Sequence, residues 1–237
     1  ETGVPPFALL ILGSSLSTLA TKFSDPPDAY GSGTTGHAVM QLNKDDGGNR
    51  RFILVQLPEP IDDGSSFAKI SEGTRARLKA AGESLRNGDE GSGDYGFRAF
   101  EFAPSNIRLW NPNLSDLEGT LLSHAEHLVE GRTEEDVLYE LLLKRGVDLS
   151  TPVDAKEIAG KRVFSVGCGV LFACLATSIA RSDVDAVAQG ILDWHRELEP
   201  ETDSHVFFRD SAFADDIAKT NMAAILEQNG ISHVRSL

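Results

Sequence analysis

The sequence predicts an α/β fold in which strands and helices alternate around a mostly parallel sheet. Residues 31–36 carry glycines in the pattern G-x-G-x-x-G and lead into a helical pattern, and the apolar run 52–55 that follows is typical of a buried parallel strand. Helical patterns and apolar runs alternate again after residue 130. The chain of 237 residues can hold two cores. Asn111-Pro112-Asn113 marks the predicted boundary, which gives one domain over residues 1–112 and a smaller α/β domain over 113–237.

The glycine motif has a physical reading of its own. Glycine adopts positive φ and lets a ligand approach the backbone, and the free N–H groups at a helix start attract a polar or anionic group. In such loop-helix-strand units the ribose of a nucleotide is bound at the end of the second strand, where this chain has Gln56 and Glu59. Residues 22–28, where the leading strand is expected, contain two prolines, which are poor members of a central strand.

Several longer stretches carry a resemblance to a known family. They are residues 31–39 and 49–59 around the glycine motif, followed by 96–110, 134–144 and 206–221. These stretches resemble site-specific adenine DNA methyltransferases, and most of all the modification (Mod) subunit of type III restriction-modification systems. The resemblance covers roughly residues 31 to 237. It implies a Rossmann-like, S-adenosylmethionine-dependent methyltransferase domain followed by a smaller α/β domain.

The resemblance also implies an activity and a cofactor site. The family transfers the methyl group of S-adenosylmethionine to the exocyclic amine of adenine, with the base flipped out of the duplex. The residues that would cradle the methionine end of the cofactor are Gly31, Ser32, Gly33, Thr34 and Thr35, and Gln56 would lie near the ribose. Glutamine lacks the charge of a carboxylate, so its bond to a ribose hydroxyl should be the weaker one.

The match to the family's catalytic motif is incomplete. The family's tetrapeptide is Asp-Pro-Pro-Tyr, and the candidate catalytic residues here are Asp25, Pro26 and Pro27, followed by Asp28. In the family this motif lies well upstream of the glycine loop, beyond a target-recognition region. Here it lies a few residues before that loop, so it cannot be the tetrapeptide in its usual setting. We expect the upstream catalytic and target-recognition part to be missing from this chain.

The charge balance bears on the partners. A formal charge of −14 and a pI near 4.8 have the wrong sign for neutralising phosphates, so this chain alone should bind DNA poorly. By resemblance, DNA is contacted through parts largely absent here, and the partners are a second Mod copy in a homodimer and a restriction (Res) subunit. We therefore expect the chain to bind the cofactor weakly and to methylate nothing alone. The alternatives are a non-enzymatic assembly or dimerisation module and an NAD-dependent oxidoreductase, whose motif is similar.

Cysteine use and the amino-terminal apolar run bear on location. Cys168 and Cys174 lie in an apolar segment and are predicted to be small buried residues in a reducing compartment, hence the cytoplasm. Residues 7–20 are apolar but too few for a membrane span, and no basic residue precedes them as in a signal peptide. We therefore predict no membrane attachment. The family resemblance implies that residues 7–20 form a helix near the cofactor.

Two groups of residues suggest metal binding, but no metal is predicted. His124 and His127 share one face of a helix predicted over 117–129, without an obvious third ligand. Asp210, Asp215 and Asp216 follow a strand end, where acids can hold a divalent ion, but the family resemblance makes this segment structural.

The remaining elements of the second half follow from caps and periodicity. Thr133 is predicted to cap a helix that ends near Gly146. A hairpin is predicted over 162–175 with its turn at residues 167–169, although a second ligand loop there stays open. Helices over 183–198 and 214–228 and a last strand over 231–237 complete the prediction.

Overall fold

The computed structural model describes residues 33–57, 59–61, 66–86, 93–108, 110, 115–116 and 128–237, and for 9–12 and 18–19 the backbone alone. The chain divides into two compact units, Glu1–Pro104 and Ser105–Leu237. The boundary predicted at residues 112 and 113 stays a prediction. Both units combine helices with a sheet, so the α/β class is confirmed.

The sheet of the first unit is mixed. Its strands are β1 (Leu9–Leu12), β2 (Thr18–Leu19), β3 (Arg51–Gln56) and β4 (Arg98–Glu101), in the order β2-β3-β1-β4. β2 runs parallel to β3, whereas β1 is antiparallel to both β3 and β4. The prediction of a mostly parallel sheet is therefore wrong here, and so is the helix expected over 7–20. Apolar runs do not reveal pairing direction, because that depends on distant partners.

Two helices cover one face of this sheet. They are α1 (Thr34–Asp46) and α2 (Ile70–Arg86), which pack with Phe52 and Leu54 of β3 in one hydrophobic cluster. On the other face, Ile53 and Val55 are 39% and 63% exposed. The strand predicted to be buried on both faces is therefore buried on one.

The turn between α1 and β3 is fixed by polar contacts. Gly47 ends α1 with φ 66°, a left-handed conformation that costs glycine little. The side-chain amide of Asn43 accepts from the backbone N–H of Arg50 and donates to its carbonyl, both at 2.9 Å. Arg50 also pairs with Asp46 at 2.7 Å. A helix stop and a strand start are thus joined over four residues.

The second unit contains a five-stranded mixed sheet. Its strands are β5 (Val153–Ile158), β6 (Lys161–Val166), β7 (Leu171–Cys174), β8 (His205–Phe208) and β9 (His233–Ser236), in sequential order. β5, β6 and β7 are antiparallel neighbours, and β7, β8 and β9 run parallel. The predicted hairpin, the strand end that precedes Asp210 and the last strand are confirmed. β5 was not predicted, because four of its six residues are exposed and its sequence has no apolar run.

Helices cover both faces of this sheet. α3 (Glu134–Arg145) packs on one face, where Leu138 and Leu142 meet Phe164. α4 (Val184–Leu198) and α5 (Asp216–Gln228) pack on the other face, which includes Val163 and Phe172. The helix predicted over 183–198 is confirmed as α4, whose residues Val184, Val187, Ile191 and Trp194 are buried.

α3 begins at a capping box. The Thr133 hydroxyl accepts from the backbone N–H of Asp136 at 3.1 Å, and the Asp136 carboxylate accepts from the backbone N–H of Thr133 at 2.9 Å. Both bonds satisfy amides that a helix start leaves without partners. Gly146 closes the helix with φ 70°. The predicted cap and end of this helix are confirmed.

The turn between β6 and β7 spans residues 167–170, and its first three residues, Gly167, Cys168 and Gly169, have φ of 64°, 55° and 91°. Two buried serines hold Gly169 in this turn: Ser165 accepts from the backbone N–H of Gly169 at 3.0 Å, and Ser204 donates to the Gly169 carbonyl at 2.6 Å. Cys168 is exposed and Cys174 is buried. The prediction of two buried cysteines is wrong for Cys168, because it occupies the tip of the turn.

The structure also bears on the helix predicted over residues 117–129 and on the question of a membrane-spanning helix. Most of the helix predicted over 117–129 lies outside the described residues, but Leu128 forms a bridge with Ile107 and is not helical. In the part of the chain that the structure describes, no helix is long and apolar enough to cross a membrane.

Candidate functional site

The glycine motif stands at the start of α1. Gly33 is its N-cap residue, buried, with φ 75° and ψ 12°, and a glycine has no side chain to cap this helix start. The first turn contains no acidic residue. A helix start of this kind favours an anionic or polar group, such as the carboxylate of an amino-acid ligand.

Packing within the unit also requires the glycines. A β-carbon at Gly33 would lie 3.2 Å from side-chain atoms of both Leu78 and Thr74 in α2. At Gly36 it would lie 2.8 Å from Leu78 and 3.1 Å from Phe52. Gly36 thus allows close helix–strand packing, which is the role of the third glycine in dinucleotide-binding loops. Gly33 and Gly36 would be needed even without a ligand.

The geometry brings Gly33, Thr34 and Thr35 to the same end of the unit as Gln56. α1 has 13 residues and β3 has six, so each is about 20 Å long. A turn of four residues joins them, so they must run in opposite directions, with the helix start beside the strand end. The Gln56 amide donates to the Leu57 carbonyl at 3.2 Å, and Glu59 is exposed.

β2 occupies the place of the missing leading strand. It precedes α1 in the chain and pairs in parallel with the first residues of β3, Thr18 with Arg51 and Leu19 with Phe52. β2, α1 and β3 therefore form a βαβ unit with adjacent parallel strands. The sequence pointed to residues 22–28 for this strand, and the structure has it earlier and only two residues long.

The other predicted site residues lie outside the described residues. They are the candidate catalytic residues Asp25, Pro26 and Pro27, and Gly31 and Ser32 of the glycine motif. Among the predicted cofactor residues, the structure places Gly33, Thr34, Thr35 and Gln56. Their roles toward a ligand stay predictions.

The acidic cluster after β8 has structural partners. Asp215 caps α5 by accepting from the Ala218 N–H at 2.9 Å, and it pairs with Arg181 at 2.5 Å. These bonds lower the pKa of Asp215 below the usual range of aspartate, and the bond from Ala218 contributes most. Asp210 pairs with Lys219. Within the described residues, no group of three or more His, Cys, Asp or Glu residues could hold a metal ion, and His124 and His127 lie outside them.

A histidine pair lies where β8 and β9 begin. The rings of His205 and His233 stack with centroids 4.5 Å apart, and Nδ1 of His205 lies 3.4 Å from a guanidinium nitrogen of Arg145. Burial lowers the pKa of His205, and the neighbouring charges of His233 and Arg145 lower it further. The pair thus disfavours protonation of His205.

The second unit contains a cavity of about 330 Å³. It was not predicted from the sequence. Its polar wall includes three arginines, Arg108, Arg132 and Arg209, with the acids Glu130 and Glu134. Burial raises the pKa of Glu134 above that of an ordinary glutamate, while the nearby charges of Arg162 and Arg209 act in the opposite direction. The arginines are far apart in the sequence, so no local pattern could have predicted their grouping.

Comparison with known proteins finds two relatives of the same kind. No protein-family model matches the chain. Over 79 residues the chain is 38% identical to the type III restriction-modification enzyme StyLTI Mod subunit of Salmonella typhimurium, over 31% of this chain and 12% of that protein. Over 138 residues it is 30% identical to the EcoP15I Mod subunit of Escherichia coli, over 55% of this chain and 20% of that protein. The chain resembles type III Mod subunits.

The Mod resemblance is partial in extent. The matched regions amount to 12% and 20% of the two Mod subunits, so the chain spans about a fifth or less of the relatives. The activity, substrates and partners of a complete Mod subunit are therefore only proposals for this chain. The predicted resemblance itself is confirmed.

Proposed function

We propose that this chain is the cofactor-binding and carboxyl-terminal portion of an adenine-specific DNA methyltransferase, acting as the modification subunit of a type III restriction-modification system. The similarity to two Mod subunits carries the proposal. An NAD-dependent oxidoreductase has no support beyond the glycine spacing, because neither relative is named as one.

The first unit is proposed as a Rossmann-like, S-adenosylmethionine-binding domain. The βαβ arrangement of β2, α1 and β3 supports this, and so does the glycine at the N-cap of α1, which lets a ligand approach the backbone. Gly31, Ser32, Gly33, Thr34 and Thr35 would hold the methionine end, whose carboxylate suits the helix start. Gln56 would donate to or accept from a ribose hydroxyl. When bound, the cofactor supplies an activated methyl group.

The catalytic and assembly roles are proposals of the same kind. Asp25, Pro26 and Pro27 match three of the four residues in the family's catalytic motif, but their distance from the loop differs from the family's. We therefore expect no methylation by this chain alone. DNA, a second Mod copy and a Res subunit are the proposed partners of the complete assembly, in the cytoplasm. A chain that fails to bind the cofactor would leave the assembly role as the better account.

Titration calorimetry of the full chain with S-adenosylmethionine tests the cofactor site. Gln56→Ala should weaken binding about 2- to 10-fold, the usual effect of one neutral hydrogen bond. The matched control is Gln41→Ala on α1, whose amide donates to Asp45 at 2.7 Å. NADH serves as the competing ligand for the oxidoreductase alternative. Absence of S-adenosylmethionine binding, or preference for NADH, would contradict the proposal.

A further inference from the structure

We propose that the cavity of the second unit binds the phosphate group of a small phosphorylated molecule, through Arg209, which follows β8, and Arg132, which precedes the capping residue of α3. Neither the Mod similarity nor the proposed cofactor site assigns a ligand to this cavity. Its residues belong to the unit Ser105–Leu237, whereas the predicted cofactor residues belong to Glu1–Pro104.

The position of the cavity in the sheet is the first argument. Leu175 and Thr177 follow β7, and Arg209 follows β8, and all three line the cavity. β7 and β8 are adjacent and parallel. Ligands of open α/β sheets bind in crevices beyond the carboxyl ends of such strands.

The charge of the lining is the second argument. Three arginines face the cavity against two glutamates, in a chain whose formal charge is −14. Arg209 is held in place by a bond from its Nε to the Ser211 hydroxyl, 3.0 Å long. Guanidinium groups bind phosphate oxygens in pairs, which a compact ammonium cannot do.

The shape and the apolar floor indicate the size of the ligand. Leu128, Val137 and Leu175 line the cavity and are 6%, 7% and 2% exposed. This floor lowers the local dielectric and strengthens charge interactions. A volume of about 330 Å³ lies at the lower end of the range for small-molecule sites. A concave site in an acidic protein favours a small phosphate ester over the backbone of a nucleic acid, which needs an extended positive surface.

The capping box limits which groups at the start of α3 can bind the phosphate. The Thr133 hydroxyl already exchanges hydrogen bonds with Asp136, at 3.1 Å to its N–H and 2.8 Å to its carboxylate. The phosphate is assigned to Arg132 and Arg209 because of their charge, and the exposed Thr177 is the other hydroxyl that lines the cavity, on the strand side.

The test uses ribose 5-phosphate, which has no nucleobase and therefore does not resemble the proposed cofactor. Titration of the full chain should give saturable binding, and ribose should give none. Arg209→Gln and Arg132→Gln should each weaken binding about tenfold or more, as expected for a hydrogen bond to a charged group. The control is Arg196→Gln, the same charge change on α4, at a residue that pairs with Asp193 and is 65% exposed.

Each outcome decides for or against the site. Binding of inorganic phosphate with the same dependence on Arg209 supports phosphate recognition. Equal weakening by Arg196→Gln would mean general attraction between charges and would overturn the proposal. Absence of ribose 5-phosphate binding would also overturn the proposal. The same holds if citrate binds as tightly as ribose 5-phosphate, or if a DNA duplex at equal phosphate concentration displaces ribose 5-phosphate. Thermal unfolding of each variant checks folding, and Arg132→Gln keeps the test valid if Arg209→Gln unfolds.

Discussion

Gly33 and Gly47 flank the same helix and respond differently to an added methyl group. Both have left-handed backbones, with φ of 75° and 66°. Alanine at either position should therefore cost about 1–2 kcal/mol in backbone strain. At Gly33 the new carbon would also lie 3.2 Å from Leu78 and Thr74, whereas at Gly47 nothing lies within 4 Å. Overpacking of this kind adds about 1–3 kcal/mol.

The expected free energy losses are therefore about 2–5 kcal/mol for Gly33→Ala and about 1–2 kcal/mol for Gly47→Ala. Hydrogen exchange of the α1 amides measures the difference, because the buried residues Val39 and Met40 lie in that helix. Exchange should be about 5- to 150-fold faster in Gly33→Ala than in Gly47→Ala. Amides of α4 in the second unit provide an internal reference. A difference below about 0.5 kcal/mol would refute the close packing of α1 on α2.

Three other perturbations have defined outcomes. Leu142→Ala removes a side chain with 0% exposure and should cost about 2–5 kcal/mol in urea unfolding, whereas Leu143→Ala, at 61% exposure, should stay within about 0.5 kcal/mol. Burial and neighbouring charges lower the pKa of His205, so the unfolded state binds more protons as pH falls below about 6.5. Stability should decrease through that range, and His205→Gln should remove this component; an unchanged pH profile would contradict it. A thiol reagent at pH 8 should modify exposed Cys168 quickly and reach Cys174 only on unfolding, because burial raises the pKa of Cys174 to about 11. Equal rates for both thiols would be inconsistent with this assignment.

Helices whose start and end are set by neighbouring residues could be predicted from the sequence. The helix that Thr133 caps can be predicted because its start and stop signals, the cap with the acidic first turn and the terminal Gly146, belong to the helix's own segment of the sequence. The helix expected over 7–20 is wrong at residues 9–12, because an apolar run fits a helix or a strand and pairing with β3 decides between them. β5 escaped prediction because an exposed edge strand has no apolar pattern.

Of the two candidate sites, one could be predicted from local sequence and the other depends on tertiary contacts. Gln56 and the glycine loop could be related by sequence, because a helix and a strand joined by a short turn must run in opposite directions. The arginines of the second unit could not, since Arg108, Arg132 and Arg209 meet only through the folding of α3 against the strand ends. Tertiary contacts, rather than spacing, create that cavity.

The buried serine in β6 has a consequence for how the sheet selects its alignment. Val163 and Phe164 are neighbours in sequence, yet they belong to the cores on opposite faces. A slip of one residue would exchange the two faces, and hydrophobicity alone would hardly oppose it, because both faces are apolar. Ser165 is fully buried and bonds only where Gly169 can donate to it. The Ser165 hydroxyl thus raises the free energy of a misaligned hairpin, because a slip would leave this hydroxyl buried without the Gly169 N–H.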